Sequence, residues 1–192
     1  MPLELVLLFG SVRTHRRGDA AVRFVEKRLR ARGHRTTLLD ARALNLPLLD
    51  RMYKEFPAGE APEGLRRMAE ALEPADAFVV VCGEYNHAPP PGLKNMLDHF
   101  LEEWFWRPSA IVSYSAGAFG GVRASVQLRA ILCELGMPSI PSIFPVPRVA
   151  AAFDAEGEPT DGATDRRFDK FASELEWYAE ALRSRRQGGV PY

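Results

Sequence analysis

The chain has 192 residues, of which 46% are hydrophobic and 26% charged, ordinary globular usage that excludes the disordered and fibrous classes. Its 25 basic and 25 acidic residues leave a formal net charge of zero. That balance speaks against a general binder of nucleic acid or anionic membrane, although a local basic cluster can still grip one phosphate. A chain of this length reads as one domain with a full core and no need of staples.

Cys82 and Cys133 stand far apart with no second cysteine near either, so a disulfide framework, a zinc knuckle and a thioredoxin-type pair have no support. The first apolar run, Leu5 to Phe9, is too short for a signal sequence. No stretch approaches the roughly 18 apolar residues of a membrane span. The expectation is a soluble, cytoplasmic protein that binds neither nucleic acid nor membrane.

In chain order, Leu5 to Phe9 is a continuous apolar run, as a strand buried on both faces should be. A helix follows over about Asp19 to Ala31, with Val22, Val25 and Leu29 on one face and Gly33 as its stop. Thr36 to Leu39 is a second strand. Ala41 to Pro62, broken by Pro47, Pro57 and Gly59, reads as a long loop that is functional or forms an interface. Pro62 opens a helix to Leu72, where a missing N–H costs nothing. Ala77 to Cys82 is the third strand, and the spacing of Leu93, Met96, Leu97, Phe100, Leu101 and Trp104 predicts a helix over Gly92 to Trp104. Ala110 to Tyr114 is strand four, Val122 to Leu135 a helix closed by Gly136, and Ile140 to Val149 a proline-broken strand suited to an edge. Asp165 to Arg185 is the last helix, its Arg183-Ser-Arg-Arg186 end a basic tip that offsets the helix dipole. Five strands alternating with five helices make one doubly wound α/β domain over residues 1–192.

Ligands of such sheets sit beyond the carboxyl ends of the strands, which here means just after Phe9, Cys82 and Tyr114. After the first strand, Gly10-Ser-Val-Arg-Thr-His-Arg-Arg-Gly18 puts a hydroxyl, guanidinium groups and free N–H groups at a helix start. That suits a dianionic phosphate, or equally a solvated basic turn. After the third, Gly83-Glu-Tyr-Asn-His87 and three prolines offer backbone polarity and flat side chains, which suit a heteroaromatic ring. After the fourth, Ser115-Ala-Gly-Ala-Phe-Gly-Gly121 has three glycines that let backbone approach a bound ring.

Together these segments resemble the NADPH-dependent FMN reductase family. The strings that carry the resemblance are Gly10-Ser-Val-Arg13 with Arg16 and Gly18; Glu84-Tyr-Asn-His87 with Leu93-Lys-Asn95 and Asp98; and Ser115 with Gly117, Gly120, Gly121 and Arg123-Ala124. The resemblance implies a flavodoxin-like fold, a five-stranded parallel sheet in the order 2-1-3-4-5 with helices on both faces. It implies that Ser11, Arg13, Arg16 and Gly18 hold the phosphate of FMN. Glu84, Tyr85, Asn86 and His87 would follow the isoalloxazine edge, and Ser115, Gly117, Gly120 and Gly121 would line its pyrimidine side. One departure stands out: Gly83 occupies a place where the family usually has proline.

The activity implied is passage of a hydride from NADPH or NADH to bound FMN, and then of electrons to a quinone, azo compound, flavin or metal acceptor. No catalytic side chain and no metal are expected, since the cofactor carries the chemistry. A homodimer or a dimer of dimers is also implied; Trp104-Phe-Trp106, which equally suits core packing at the helix end, and the Ala41 to Pro62 loop are the interface candidates. Two rivals compete. A flavodoxin-like electron carrier without direct NAD(P)H oxidation is disfavoured by the neutral charge. A serine hydrolase built on Ser113-Tyr-Ser-Ala-Gly117 fails because all four histidines precede Ser115, against the chain order that such triads need.

Overall fold

The computed structural model describes residues 1–154 and 156–192. Five strands pair in parallel: β1 (Glu4–Phe9), β2 (Arg35–Asp40), β3 (Ala77–Gly83), β4 (Ser109–Tyr114) and β5 (Ser139–Val146). Their order in the sheet is β2-β1-β3-β4-β5, the flavodoxin-like order that the resemblance implied. The helices are α1 (Asp19–Ala31), α2 (Ala41–Leu44), α3 (Glu63–Leu72), α4 (Pro91–Asp98), α5 (Val122–Glu134) and α6 (Thr164–Gln187).

Strand periodicity divides the core in two. Leu5, Leu7 and Phe9 of β1 point to one face, where α1 and α6 cover them with Phe24, Val25, Phe168 and Phe171. Val6 and Leu8 point to the other, against Met68 of α3, Leu93 and Met96 of α4 and Leu128 of α5. With α1 alone leading outward to β2 and the later helices leading the other way, right-handed crossovers put α1 and α3–α5 on opposite faces. The direction of winding therefore reverses between β1 and β3, which opens a crevice at their carboxyl ends. β5 carries Pro141 and Pro145 and lies at the sheet edge, as its prolines require.

Three segments differ from the sequence expectation. The Ala41 to Pro62 loop contains α2 and a 3₁₀ turn at Tyr53–Glu55; Asp40 caps α2 by accepting the Arg42 N–H at 2.9 Å. The helix expected over Gly92 to Trp104 stops at Asp98 and resumes only as a 3₁₀ turn at Glu102–Trp104. Its carbonyls find other donors: His99 O accepts the Tyr53 N–H at 2.8 Å, and the Trp104 indole donates to Leu97 O at 3.1 Å and Phe100 O at 3.2 Å. The apolar spacing persists because every one of those side chains still faces the core, and Trp104 is fully buried in it rather than available to an interface. Finally, the basic end of α6 is tied down: Arg183 and Arg186 both bind the buried Asp76, at 3.1 and 3.2 Å.

Candidate functional site: a cationic crevice over three strand ends

At the reversal point lies a cavity of about 320 Å³. Its walls come from the β1–α1 loop (Ser11, Arg13, His15, Arg16, Arg17), the end of β3 (Gly83, Glu84, Tyr85), the end of β4 (Tyr114, Ser115, Ala116) and Val149 after β5. The three loops singled out in the sequence thus converge on one place.

The β1–α1 loop is rich in hydrogen-bond donors. Among the described residues, no backbone N–H from Ser11 to Gly18 is hydrogen-bonded to another residue. Unpaired donors leading into a helix N-terminus form a concave nest for negative charge. The three arginines of the loop are not equivalent. Arg16 is spent inside the protein: its guanidinium makes two 2.6 Å hydrogen bonds to the Asp40 carboxylate, one of 2.8 Å to Asp19 and one of 3.1 Å to Ser11 O. It also lies over the Phe9 ring, 4.5 Å from its centroid. Arg42 on α2 holds the outside of the same loop through Thr14 O at 3.3 Å. Arg16 is therefore the brace that shapes the nest, while Arg13, His15 and Arg17 stand exposed on its rim.

Tyr114 forms the floor. Burial pushes its phenol above the ordinary tyrosine value, so it stays neutral. Two glycines make room for its ring. A Cβ on Gly18 would come within 2.5 Å of Tyr114 Cζ and 2.8 Å of Phe9 Cε2, and one on Gly83 would lie 3.1 Å from Tyr114 Cζ. Gly18 has φ −80° and ψ −9°, a conformation open to any residue, so close approach and not backbone freedom demands glycine there. A side chain at Gly83 would sit tightly against the same ring.

The β3–α4 loop divides its labour. Glu84 does not face the cavity with a free carboxylate. Its Oε2 accepts the N–H groups of Arg123 and Ala124 at 3.0 and 3.1 Å, capping α5 and locking two of the three loops together. Tyr85 lines the cavity, and its buried hydroxyl has no partner among the described residues. Tyr85 and Ala88 exchange both backbone hydrogen bonds at 2.9 Å. Asn86 and His87 are the left-handed centre of that turn, with φ +50° and +67°, and they sit exposed at its tip rather than in the cavity wall.

In the β4–α5 loop, Ser115 lines the cavity with Oγ donating to Gly117 O at 3.1 Å. Gly120 and Gly121, at φ +62° and +78°, turn the chain into α5 under Tyr114 and Pro145, where a Cβ would meet atoms at 2.8 to 3.0 Å. Gly117 has open space around it, and the N–H groups from Ala116 to Gly121 are free of described partners. Sequence reasoning missed Tyr114 and Asp40. Tyr114 was visible as the last residue of a strand; nothing in the sequence ties Asp40 to Arg16.

Comparison with known proteins gives the family of the chain. Residues 3–151 match the model of the NADPH-dependent FMN reductase family. A quinone reductase of Pseudomonas putida is 35% identical over 135 residues, covering 64% of this chain and 71% of its own length. An NAD(P)H-dependent FMN reductase of Nectria sp is 32% identical over 132 residues, 65% of each chain. The chain thus spans about two thirds of the length of these curated relatives. Among solved structures, a flavoenzyme NAD(P)H:(acceptor) oxidoreductase from Paracoccus denitrificans superposes with a TM-score of 0.74 at 21% identity, covering 95% of this chain and 98% of that one. That likeness speaks for the fold. On the family match over residues 3–151, the chain belongs to the NADPH-dependent FMN reductase family, whose cofactor is FMN and whose reductant is a nicotinamide dinucleotide.

Proposed function

We propose that this protein binds FMN in the crevice and uses it to carry reducing equivalents from NAD(P)H to a small acceptor of the quinone type. The observation that carries the reading is the unpaired N–H nest from Ser11 to Gly18 opening into the same cavity as the orphaned Tyr85 hydroxyl. A flavin mononucleotide brings both of the groups that these lack, a dianionic phosphate and a ring edge with hydrogen-bonding atoms. Arg13 and the Ser11 to Gly18 N–H groups would hold the phosphate, with Gly18 letting the loop close over Tyr114. Ser115, Gly117 and the free N–H groups of the β4–α5 loop would lie toward the ring, and N–H donors there favour a reduced, anionic ring. Bound FMN supplies hydride acceptance and release, so the protein's task is to bind, orient and expose one face of the ring. No side chain in the crevice is required as a general acid or base.

Self-association goes with this reading. Val12, Leu48 and Leu49 are exposed apolar residues beside a groove lined by Leu46, Pro91 and Met96, immediately outside the β1–α1 loop, and a homodimer would cover them. A cytoplasmic setting, where reduced nicotinamide dinucleotides are maintained, fits the same activity.

The test is spectroscopic. Protein saturated with FMN, desalted and titrated anaerobically with NADPH should keep a visible flavin spectrum that bleaches. Retained flavin that NADPH cannot bleach would favour the electron-carrier alternative, and no retained flavin would overturn the reading. A second expectation concerns Arg13, exposed on the rim and without a partner among the described residues. Arg13→Ala should weaken FMN binding by roughly ten-fold, the loss of one solvent-screened charge-assisted contact, and leave riboflavin binding unchanged. Unaltered FMN affinity in that variant would remove Arg13 from the phosphate site.

A further inference from the structure

The rim carries more positive charge than one bound phosphate requires. The nest of backbone donors and Arg13 already answer FMN's dianion, and Arg16 is neutralised by Asp40 and Asp19. Arg17 is left over. It lines the cavity and is exposed, and among the described residues it has no ion-pair, hydrogen-bond or ring partner. Arg28, Arg30, Arg32, Arg183 and Arg186, by contrast, all find carboxylates. His15 stands beside it on the same wall. No carboxylate offsets the pair there: Glu84, the one acid of the cavity wall, is occupied with the α5 N-terminus.

A cation held at the mouth of a site, free of internal partners and flanked by a second imidazole donor, is suited to an anionic group on the substrate that arrives after the cofactor. Resting on the functional reading above, we propose that Arg17, with His15, reads the 2′-phosphate of the reductant and makes the protein discriminate NADPH from NADH. An arginine fork meets a phosphate with two parallel donors, and in the NADH complex that fork faces only a ribose hydroxyl. Arg17 is thus a specificity residue for the reductant, whereas its neighbour Arg16, equally basic in sequence, is a structural brace.

The experiment compares adenosine 2′,5′-bisphosphate with 5′-AMP as calorimetric probes of the FMN-loaded protein, in wild type and in Arg17→Ala. Wild type should bind the bisphosphate at least about ten-fold more tightly than 5′-AMP. Arg17→Ala should lose most of that preference and lower kcat/KM for NADPH, with kcat/KM for NADH and the Kd of FMN within about two-fold of wild type. Arg17→Lys, which keeps the charge without the fork, should fall between the two. Equal binding of the two probes by wild type would overturn the proposal. So would an Arg17→Ala protein that loses FMN affinity while keeping its probe preference, which would reassign Arg17 to the flavin phosphate. Failure of wild type to retain FMN at all is a different result, one that sinks the functional reading itself.

Discussion

Asp40→Asn lowers the melting temperature by roughly 4–8 °C and weakens FMN binding by about ten-fold or more, although Asp40 lies outside the cavity wall. The Arg16 and Asp40 side chains are only 14% and 16% exposed. Removing the carboxylate charge leaves a largely buried guanidinium with Asp19 as its one anionic partner, at a cost of about 2 kcal/mol once partial exposure is allowed for. The loop loses its anchor to the end of β2, and the N–H groups of the nest lose their common direction. Replacing both partners by apolar residues of similar size, Arg16→Met with Asp40→Leu, should restore most of the melting temperature, because no charge is then stranded. Thermal unfolding and FMN titration check both statements. If Asp40→Asn bound FMN as wild type does while Arg16→Met did not, Arg16 would be a direct phosphate ligand and the brace assignment would be wrong.

The same pair sets a pH dependence. Burial works against ionised Asp40, but the Arg16 guanidinium and the Arg42 N–H outweigh it and hold the carboxyl below the ordinary aspartate range. A native pKa below the unfolded one gives stability that is complete above the unfolded value, about 4, and is lost as pH falls through the native value. The stability gap between wild type and Asp40→Asn is therefore full at neutral pH and narrows below about pH 4.

Gly18→Ala is expected to disable the site by displacing its floor. The added methyl would sit 2.5 Å from Tyr114 Cζ and 2.7 Å from its hydroxyl oxygen, and the ring, 7% exposed, has nowhere to retreat except into the cavity. Overpacking of this kind costs about 1–3 kcal/mol, and the displaced ring takes up space that the flavin needs, so FMN affinity should fall by more than ten-fold. Tyr114→Leu removes the clashing tip, so the double variant Gly18→Ala/Tyr114→Leu should lose less stability than the two single losses added together. Strict additivity in denaturant unfolding would show that the ring and the glycine are not coupled.

Much of this architecture is legible in the sequence. Parallel strands covered on both faces read as unbroken apolar runs, so Leu5 to Phe9 and Ala77 to Cys82 were plain, and the ligand loops followed from where those runs end. The helix expected through Trp104 failed for a physical reason. Apolar spacing reports which side chains face the core, and His99 and Leu101 interrupt the backbone without changing that facing. The loop residues were less evenly legible, since Glu84 caps α5 from the cavity wall, and Gly120 and Gly121 serve to turn the chain into α5.

By itself, then, the sequence determined a doubly wound sheet and singled out the loops after strands one, three and four, which border one cavity, because local periodicity and turn composition encode both. Tertiary structure alone decided which arginine is free. Arg16 and Arg17 are adjacent and chemically identical, and they are separated only by the parallel register that sets Phe9 beside Asp40, bringing a carboxylate 24 residues away within 2.6 Å of one guanidinium and of no other on the loop. The same holds for Gly18, whose need for glycine is a ring contributed by β4. Charge and size are properties of a residue, but whether a charge is spent or a space is filled depends on partners that only folding brings near.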